Sequence, residues 1–311
     1  MLNDVFPSFQ VFAFFEGRWE KFIDKIQVAG VALAIAHVGS KCCPVTAGHA
    51  WDDLAVSGVI TASEPSWITP FTGLSPRQFG KLIIALRREG ADPVRKGRPW
   101  SLPLEDRVLL VAAYWRTNLT LRQLAPLFGV SKSAADRIID HLGPALALQQ
   151  RKRFRKDTVL IVDGTLVPTR DHAIAEQSKN YRYSTNHQVV IDADTRLVVA
   201  VGRPVAGNRN DCKAWELSGV KDAVGKTTTI ADGGYRGTGL VIPHRRERGR
   251  VELPTWKEEH NTSHRKIRAR VEHVFARMKS WKILRDCRLK GDGVHHAMLG
   301  IARLHNLVLA G

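Results

Sequence analysis

Apolar residues recur at helical spacing from Phe79 onward. Phe79, Leu82, Ile83 and Leu86 line one face, and Ser75-Pro76 supplies a start: serine as N-cap, proline at the first helical position. Gly90 and Pro93 end that helix. A second helix is expected over Leu102–Trp115, with Leu104, Val108, Leu109 and Ala112 inward. Leu121–Phe128 reads as a third, Gly129-Val130-Ser131 as a turn, and Ala134, Ile138, Ile139 and Leu142 as the inner face of a fourth, capped by Ser131 or Ser133. The last two fit a helix-turn-helix: glycine permits the turn and the apolar positions lock a steep pair. The final helix would offer Lys132, Ser133, Asp136 and Arg137 to a DNA groove. An ordinary helical hairpin explains the same pattern.

The period changes after the run Arg151-Lys152-Arg153-Phe154-Arg155-Lys156, which marks an exposed boundary and offers phosphate contacts from Arg151, Lys152 and Arg153. Val159–Val162 reads as a buried strand, with Leu166–Thr169 as its hairpin partner. Gln188–Asp192 and Arg196–Val201 pair across Ala193–Thr195, and Thr227–Ala231 and Leu240–Pro243 are further strands. Asp211 is read as the cap of a helix reaching Leu217, and helices resume from Trp256 and from Val294 to Leu309. Strands followed by helices indicate α+β architecture around one sheet. The expected organisation is an appendage over 1–60, an all-α helix-turn-helix domain over 66–150 and a mixed-sheet domain over 157–311. The first 55 residues have weak periodicity, and an upstream start codon assigned in error accounts for them as well as a short helical appendage does.

Composition sharpens this. The 311 residues allow two domains, and 44% apolar with 25% charged residues fits a soluble globular chain. A net charge of +17 calls for a polyanion, and nucleic acid suits it better than a membrane surface. The apolar run Val28–Val38 is too short for a bilayer, which needs about 20 residues. No targeting segment is read, so a cytoplasmic, nucleoid-associated protein is expected. The four cysteines form no C-x-x-C pair and read as free thiols.

Two carboxylates close apolar runs, and each precedes glycine: Val159-Leu160-Ile161-Val162-Asp163-Gly164 and Thr229-Ile230-Ala231-Asp232-Gly233-Gly234. A carboxylate at a strand end is held by the sheet. Such hard oxygen ligands suit Mg²⁺ or Mn²⁺. Two ions about 4 Å apart can activate an attacking oxygen and stabilise a leaving one. Asp-Gly is equally a hairpin-turn signal, so each aspartate alone reads as turn or catalyst. Glu272 belongs to a helix whose apolar stripe is Ile267, Val271, Val274 and Met278. Beside it run Arg265, Arg268, Glu272, Phe275 and Lys279, with Glu272 the one acid in that row. An i,i+4 pair with Arg268 would explain the glutamate alone. Yet His244–Lys290 holds fifteen Lys/Arg against six Asp/Glu, a bias that suits a phosphate-lined site better than a solvated helix.

Asp163-Gly164-Thr165, Ala231-Asp232-Gly233-Gly234-Tyr235 and Arg268-x₃-Glu272-x₆-Lys279 together resemble the DDE transposases of bacterial insertion sequences. The likeness is closest to the insertion-sequence-five family, which is similar to the Harbinger transposases of eukaryotes, and it covers roughly residues 66–309. It implies a ribonuclease-H-like catalytic domain preceded by the helix-turn-helix domain. It also implies Asp163, Asp232 and Glu272 as the catalytic, metal-binding triad, two Mg²⁺ or Mn²⁺ ions, and action on terminal inverted repeats and a target by a homo-oligomer. Lys279, Arg268 and Arg265 would steady phosphates. Gly207–Asp211 matches a segment where relatives carry Gly-Ser-x-His-Asp, which makes Asp211 a candidate accessory acid; here Asn210 replaces the histidine. Arg265 stands where fuller signatures carry tyrosine, and the interval from Asp232 to Glu272 leaves no room for an inserted β domain. Two rivals remain: a DNA-binding regulator with an inactive nuclease-like domain, and a metal-dependent nuclease or resolvase on the same fold.

Overall fold

The computed structural model describes residues 59–93, 99–151, 153–179, 182–246 and 252–311. The expected appendage over 1–60, apart from its last two residues, lies outside them, as do the expected loop at 96–98 and Lys152. Five helices come first: α1 (Ile68–Thr72), α2 (Pro76–Arg88), α3 (Leu104–Thr117), α4 (Leu121–Leu127) and α5 (Lys132–Ala145). Ser75 caps α2 as the sequence predicts, in a reciprocal capping box with Gln78. Thr120 and Gln123 do the same for α4. Gly129 turns between α4 and α5 with φ of 63°, a left-handed conformation that favours glycine, and Ser131 caps α5. Leu124, Ala125, Ile138 and Leu142 close the pair from inside, while Lys132, Ser133, Asp136 and Arg137 stay exposed.

The sheet is mixed. Its strands are β1 (Leu160–Pro168), β2 (Glu176–Gln177), β3 (Tyr183–Asp192), β4 (Val198–Val201), β5 (Val205–Ala206) and β6 (Thr229–Ile230). β1 pairs antiparallel with β3 and parallel with β6, while β2, β4 and β5 all pair with β3. The expected hairpin between Val162 and Leu166 is absent. β1 runs unbroken through Asp163-Gly164, because every residue from Leu160 to Pro168 finds a partner on the longer β3. Leu240–Pro243 also falls short of a strand, keeping one bridge, Val241 to Ile230. On one face lie α6 (Asp211–Leu217) and α7 (Val220–Val224). Asn210 caps α6 by accepting from the Lys213 N–H at 2.9 Å, so Asp211 is the first helical residue rather than the cap.

The other face carries α8 (Thr255–Met278) and α9 (Gly293–Leu309). Period-two alternation divides β1 between the faces: Ile161 and Val167 join a large cluster with Val271, Val274 and Met278 of α8, while Leu160 and Val162 join a smaller one with Trp215, Val220 and Tyr235. The large cluster continues through Ile301 and Leu304 of α9 into Trp115, Leu109 and Phe71 of the amino-terminal helices. α9 fits this junction through Gly300. A Cβ there would lie 2.3 Å from the Trp115 ring, whose side chain is 1% exposed. No helix among the described residues is long and apolar enough to cross a membrane.

Gly300→Ala is therefore expected to overpack this joint and cost about 1–3 kcal/mol or more. Chemical denaturation should show the loss as a lower midpoint; an unchanged midpoint would mean that the Trp115–Gly300 contact does not hold the two parts together.

Candidate active site

Asp163 lies mid-strand on β1, on the face covered by α8. Its Oδ1 accepts the Gly164 N–H at 2.8 Å, and its Oδ2 lies 3.0 Å from Arg268 Nη1. The other arm of the same guanidinium, Nη2, is 2.5 Å from Glu272 Oε1. Arg268 thus spans two of the three candidate acids. The expected i,i+4 pair exists and is one half of a bridge that reaches the sheet. Asp163 is 17% exposed and Glu272 55%, so the helical acid stays in solvent and the strand acid does not.

Asp232 follows β6. Leu160 pairs with Thr229 and Ile161 with Ile230 in parallel register, and Asp163 and Asp232 each lie two residues beyond the last of these pairs. The two Asp-Gly pairs differ in kind. Asp232 is in a turn, its Oδ1 accepting the Gly234 N–H at 2.8 Å. Gly164 is in no turn. A Cβ on it would stand 2.3 Å from Asp211 Oδ1 and 2.8 Å from Gln188 Nε2, so the glycine lets a third aspartate press against β1 from the opposite face. Asn186 Nδ2 donates to Asp211 Oδ1 at 3.0 Å and Gln188 Nε2 lies 3.3 Å from it. Tyr235 Oη donates to Gln188 Oε1 at 2.5 Å. Sequence reasoning missed this buried Asn186–Gln188–Tyr235 network. Its signal was the run Ser184–Gln188, consecutive polar residues leading into the apolar Val189–Ile191 of one strand, all of them buried.

Burial pushes the Asp163 carboxyl up to about 6 from its ordinary 3.8, against the pull of Arg268 and the Gly164 N–H; Asp232 and Asp211 push it further. Burial, and after it Asp211, Asp163 and Asp232, hold the Tyr235 phenol protonated far above its usual range. Asp163 is therefore within electrostatic reach of both Asp232 and Asp211. Beside them opens a cleft of about 600 Å³ lined by Gly164, Thr165, Arg182, Lys279 and Arg285. Desolvation lowers the Lys279 ammonium, and Asp163 opposes that shift.

Residues 154–307 match the family model described as a transposase DDE domain, and residues 100–150 match the helix-turn-helix of DDE superfamily endonucleases. The protein named as the transposase for insertion sequence element IS112 of Streptomyces albus G is 87% identical over 256 residues, 82% of this chain and 100% of its own length. This chain belongs to the DDE transposases of insertion sequences. A second relative, named as a transposase for element IS702 of Microchaete diplosiphon, is 25% identical over 232 residues, 68% of this chain and 83% of its own length. No solved structure matches the chain. Membership makes the protein a DNA-transposing enzyme with a helix-turn-helix unit.

Within this transposase, Arg268 joins Asp163 to Glu272, Lys279 lines the neighbouring cleft within electrostatic reach of Asp163, and Asp232 acts on Asp163 from the other side. Arg265 is exposed on α8 and does not line the cleft. Lys132, Ser133 and Arg137 are exposed on α5, Arg137 with its Nε 3.1 Å from the Ser133 carbonyl. Arg151 lies 3.6 Å from Asp192, and Arg153 is exposed. The donor set is all carboxylate, as hard divalent cations require, and a guanidinium bridges two of its members. As the side chains stand, no three acids among the described residues are drawn closely enough together to hold an ion.

In metal-free protein the folded state keeps a proton on Asp163 that the unfolded chain releases between about pH 4 and 6. Stability is thus lost as pH rises through that window. Asp163→Asn should gain on the wild type across it, by up to about 3 kcal/mol, and hold the gain above it. Urea denaturation in chelator at several pH values measures this; a difference flat from pH 4 to 7 would contradict a buried, raised carboxyl.

Proposed function

We propose that this transposase binds the terminal inverted repeats of its own element through residues 66–150 and cuts and joins DNA strands at Asp163, Asp232 and Glu272. The catalytic unit is a ribonuclease-H-like domain over 157–311, of the insertion-sequence-five, Harbinger-like kind. The observation that supports the reading is the parallel pairing of β1 and β6, with Asp163 and Asp232 each two residues beyond its last pair and in electrostatic reach, and Glu272 tied to the first through Arg268. Repulsion between desolvated carboxylates is relieved by cations, and these three acids would hold two Mg²⁺ or Mn²⁺ ions. When bound, such ions activate an attacking oxygen and stabilise the leaving one. Arg268 holds the acids until then and turns to the incoming phosphate once released. Lys279 and Arg182 line the cleft where that phosphate would lie. Asp211 supports the centre from behind β1 as an accessory acid. Lys132, Ser133 and Arg137 face the DNA groove, Arg151, Lys152, Arg153 and Arg265 contact backbone phosphates, and two or more copies act together on the element's ends in the cytoplasm.

The Arg268 bridge also suits a second reading, a DNA-binding regulator that does not cut. One experiment separates them. Wild-type protein with Mg²⁺ is expected to nick a plasmid carrying the element's ends; Asp163→Asn should lose nicking by at least about a thousandfold yet bind those ends as tightly as before. Nicking by Asp163→Asn would remove that residue from the active site. Tight binding with no metal-dependent nicking by the wild type would favour the regulator.

A further inference from the structure

The stretch that follows α8 faces two ways. Lys279 and Arg285 line the cleft beside Gly164 and Thr165, and Arg285 Nε donates to the Lys279 carbonyl at 2.7 Å, so the two cations form one wall. Between them, Trp281 and Ile283 are buried in the core shared with α3. The far end of the stretch is strapped to the end of β1. The Cys287 N–H donates to the Pro168 carbonyl at 2.7 Å, and the Arg170 N–H to the Cys287 carbonyl at 3.0 Å. The Arg170 side chain donates to both oxygens of the Asp286 carboxylate, at 3.2 and 2.6 Å.

The amino-terminal helices hold the same stretch from behind. Arg116, in the last turn of α3, donates from Nη1 to Ser280 Oγ at 2.8 Å and lays its guanidinium over the Trp281 ring, 4.5 Å from the centroid. The Ser280 hydroxyl donates in turn to the Arg277 carbonyl at 2.7 Å, so its direction is fixed. Asn118, two residues on from Arg116, stands in the left-handed region with φ of 53° and donates from Nδ2 to the Asp286 carbonyl at 2.8 Å. Thr120 then caps α4 and opens the helix-turn-helix. The residues just before that unit therefore grip both ends of the cationic wall of the cleft.

A buried guanidinium is a costly way to fill this space. Burial pushes the Arg116 group down to about 10 from its ordinary 12.5. Apolar side chains of similar volume in place of buried ions often leave a protein as stable or more so. Stability therefore gives no reason for arginine here. Direction does: a planar fork that donates to one neighbour and stacks on the next fixes their orientation as an apolar chain cannot. We propose that Arg116 and Asn118 are positioning residues for strand cleavage, setting Lys279 and Arg285 at the cleft from the root of the helix-turn-helix. Both act through the stretch from Lys279 to Asp286 rather than by touching DNA. The proposal rests on the reading of Asp163, Asp232 and Glu272 as the centre where strands are cut and of Lys279 as a phosphate contact.

The test uses the full chain, Mg²⁺ and a plasmid carrying the element's ends. Arg116→Met should keep the urea midpoint of the wild type or raise it, and should bind the ends within about twofold. At saturating DNA it should nick about tenfold more slowly, a loss in kcat rather than in KM. Lys279→Ala should itself slow nicking, and Arg116→Met added to it should slow nicking no further, within about twofold. Asn118→Gly keeps the left-handed backbone and removes only the amide; it should lose kcat in the same way, and it decides the matter if Arg116→Met does not fold. Wild-type rates in these variants, losses that multiply with that of Lys279→Ala, or losses that track a lower midpoint or weaker end binding would overturn the assignment and leave the cutting centre intact. A wild type that binds the ends and never nicks would overturn the cutting centre, and this assignment with it.

Discussion

A carboxylate buried beside other carboxylates is the constraint from which the rest of this molecule can be read. Asp163 is held mid-strand and largely out of water, with Asp232 in the turn that follows the neighbouring strand and Asp211 behind. Two unit charges at strand spacing, about 4.8 Å, repel by roughly 3–4 kcal/mol at an effective dielectric of 20. A fold does not keep that arrangement for stability. Arg268 answers part of it from α8, and the bias of that helix toward Lys and Arg becomes intelligible as the other side of the same balance. Burial, with Asp232 and Asp211 adding to it, still leaves the Asp163 carboxyl pushed up to about 6, which is an unmet demand for positive charge.

The sheet solves the placement by giving each face a task. Odd positions of β1 meet α8 and deliver Asp163 to Arg268; even positions meet the small cluster around Trp215 and Tyr235. Gly164 falls on the second face, and its missing side chain lets Asp211 and Gln188 approach β1. A substitution there would disturb an acid on the far side of the strand from the cleft. The Asn186–Gln188–Tyr235 network keeps that acid's partners fixed, and full satisfaction is what makes such a buried polar group tolerable.

Much of this was legible in the chain. Caps at Ser75 and Ser131, the turn at Gly129, the α8 stripe and the β3–β4 pairing all follow local rules that tertiary contacts left undisturbed. The Asp-Gly pair at 163–164 was ambiguous because a turn glycine and a close-approach glycine look alike until the partner strand is known. β3 decides it by pairing straight through. Asp211 was misread as a cap because Asn210, one residue earlier, is an equally good one. The meeting of Arg268 with Asp163, 105 residues away in sequence, has no local signature; only its half with Glu272 does.

The same packing bears on how DNA reaches the carboxylates. α5, which offers Lys132, Ser133 and Arg137, is not hung on a linker. Arg303 of α9 donates to the Ala145 carbonyl at the end of α5 and pairs with Glu89 after α2, and the Leu148 N–H donates to the Leu299 carbonyl at 3.2 Å. α9 in turn packs on β4 and, through Gly300, on Trp115 of α3. On the proposed reading, a duplex gripped by α5 would be registered against β1 through close-packed helices rather than through a tether. In-line chemistry at a phosphate demands close placement. On that reading the continuous core from Phe71 to Ile161 would help to set which phosphate lies at Asp163.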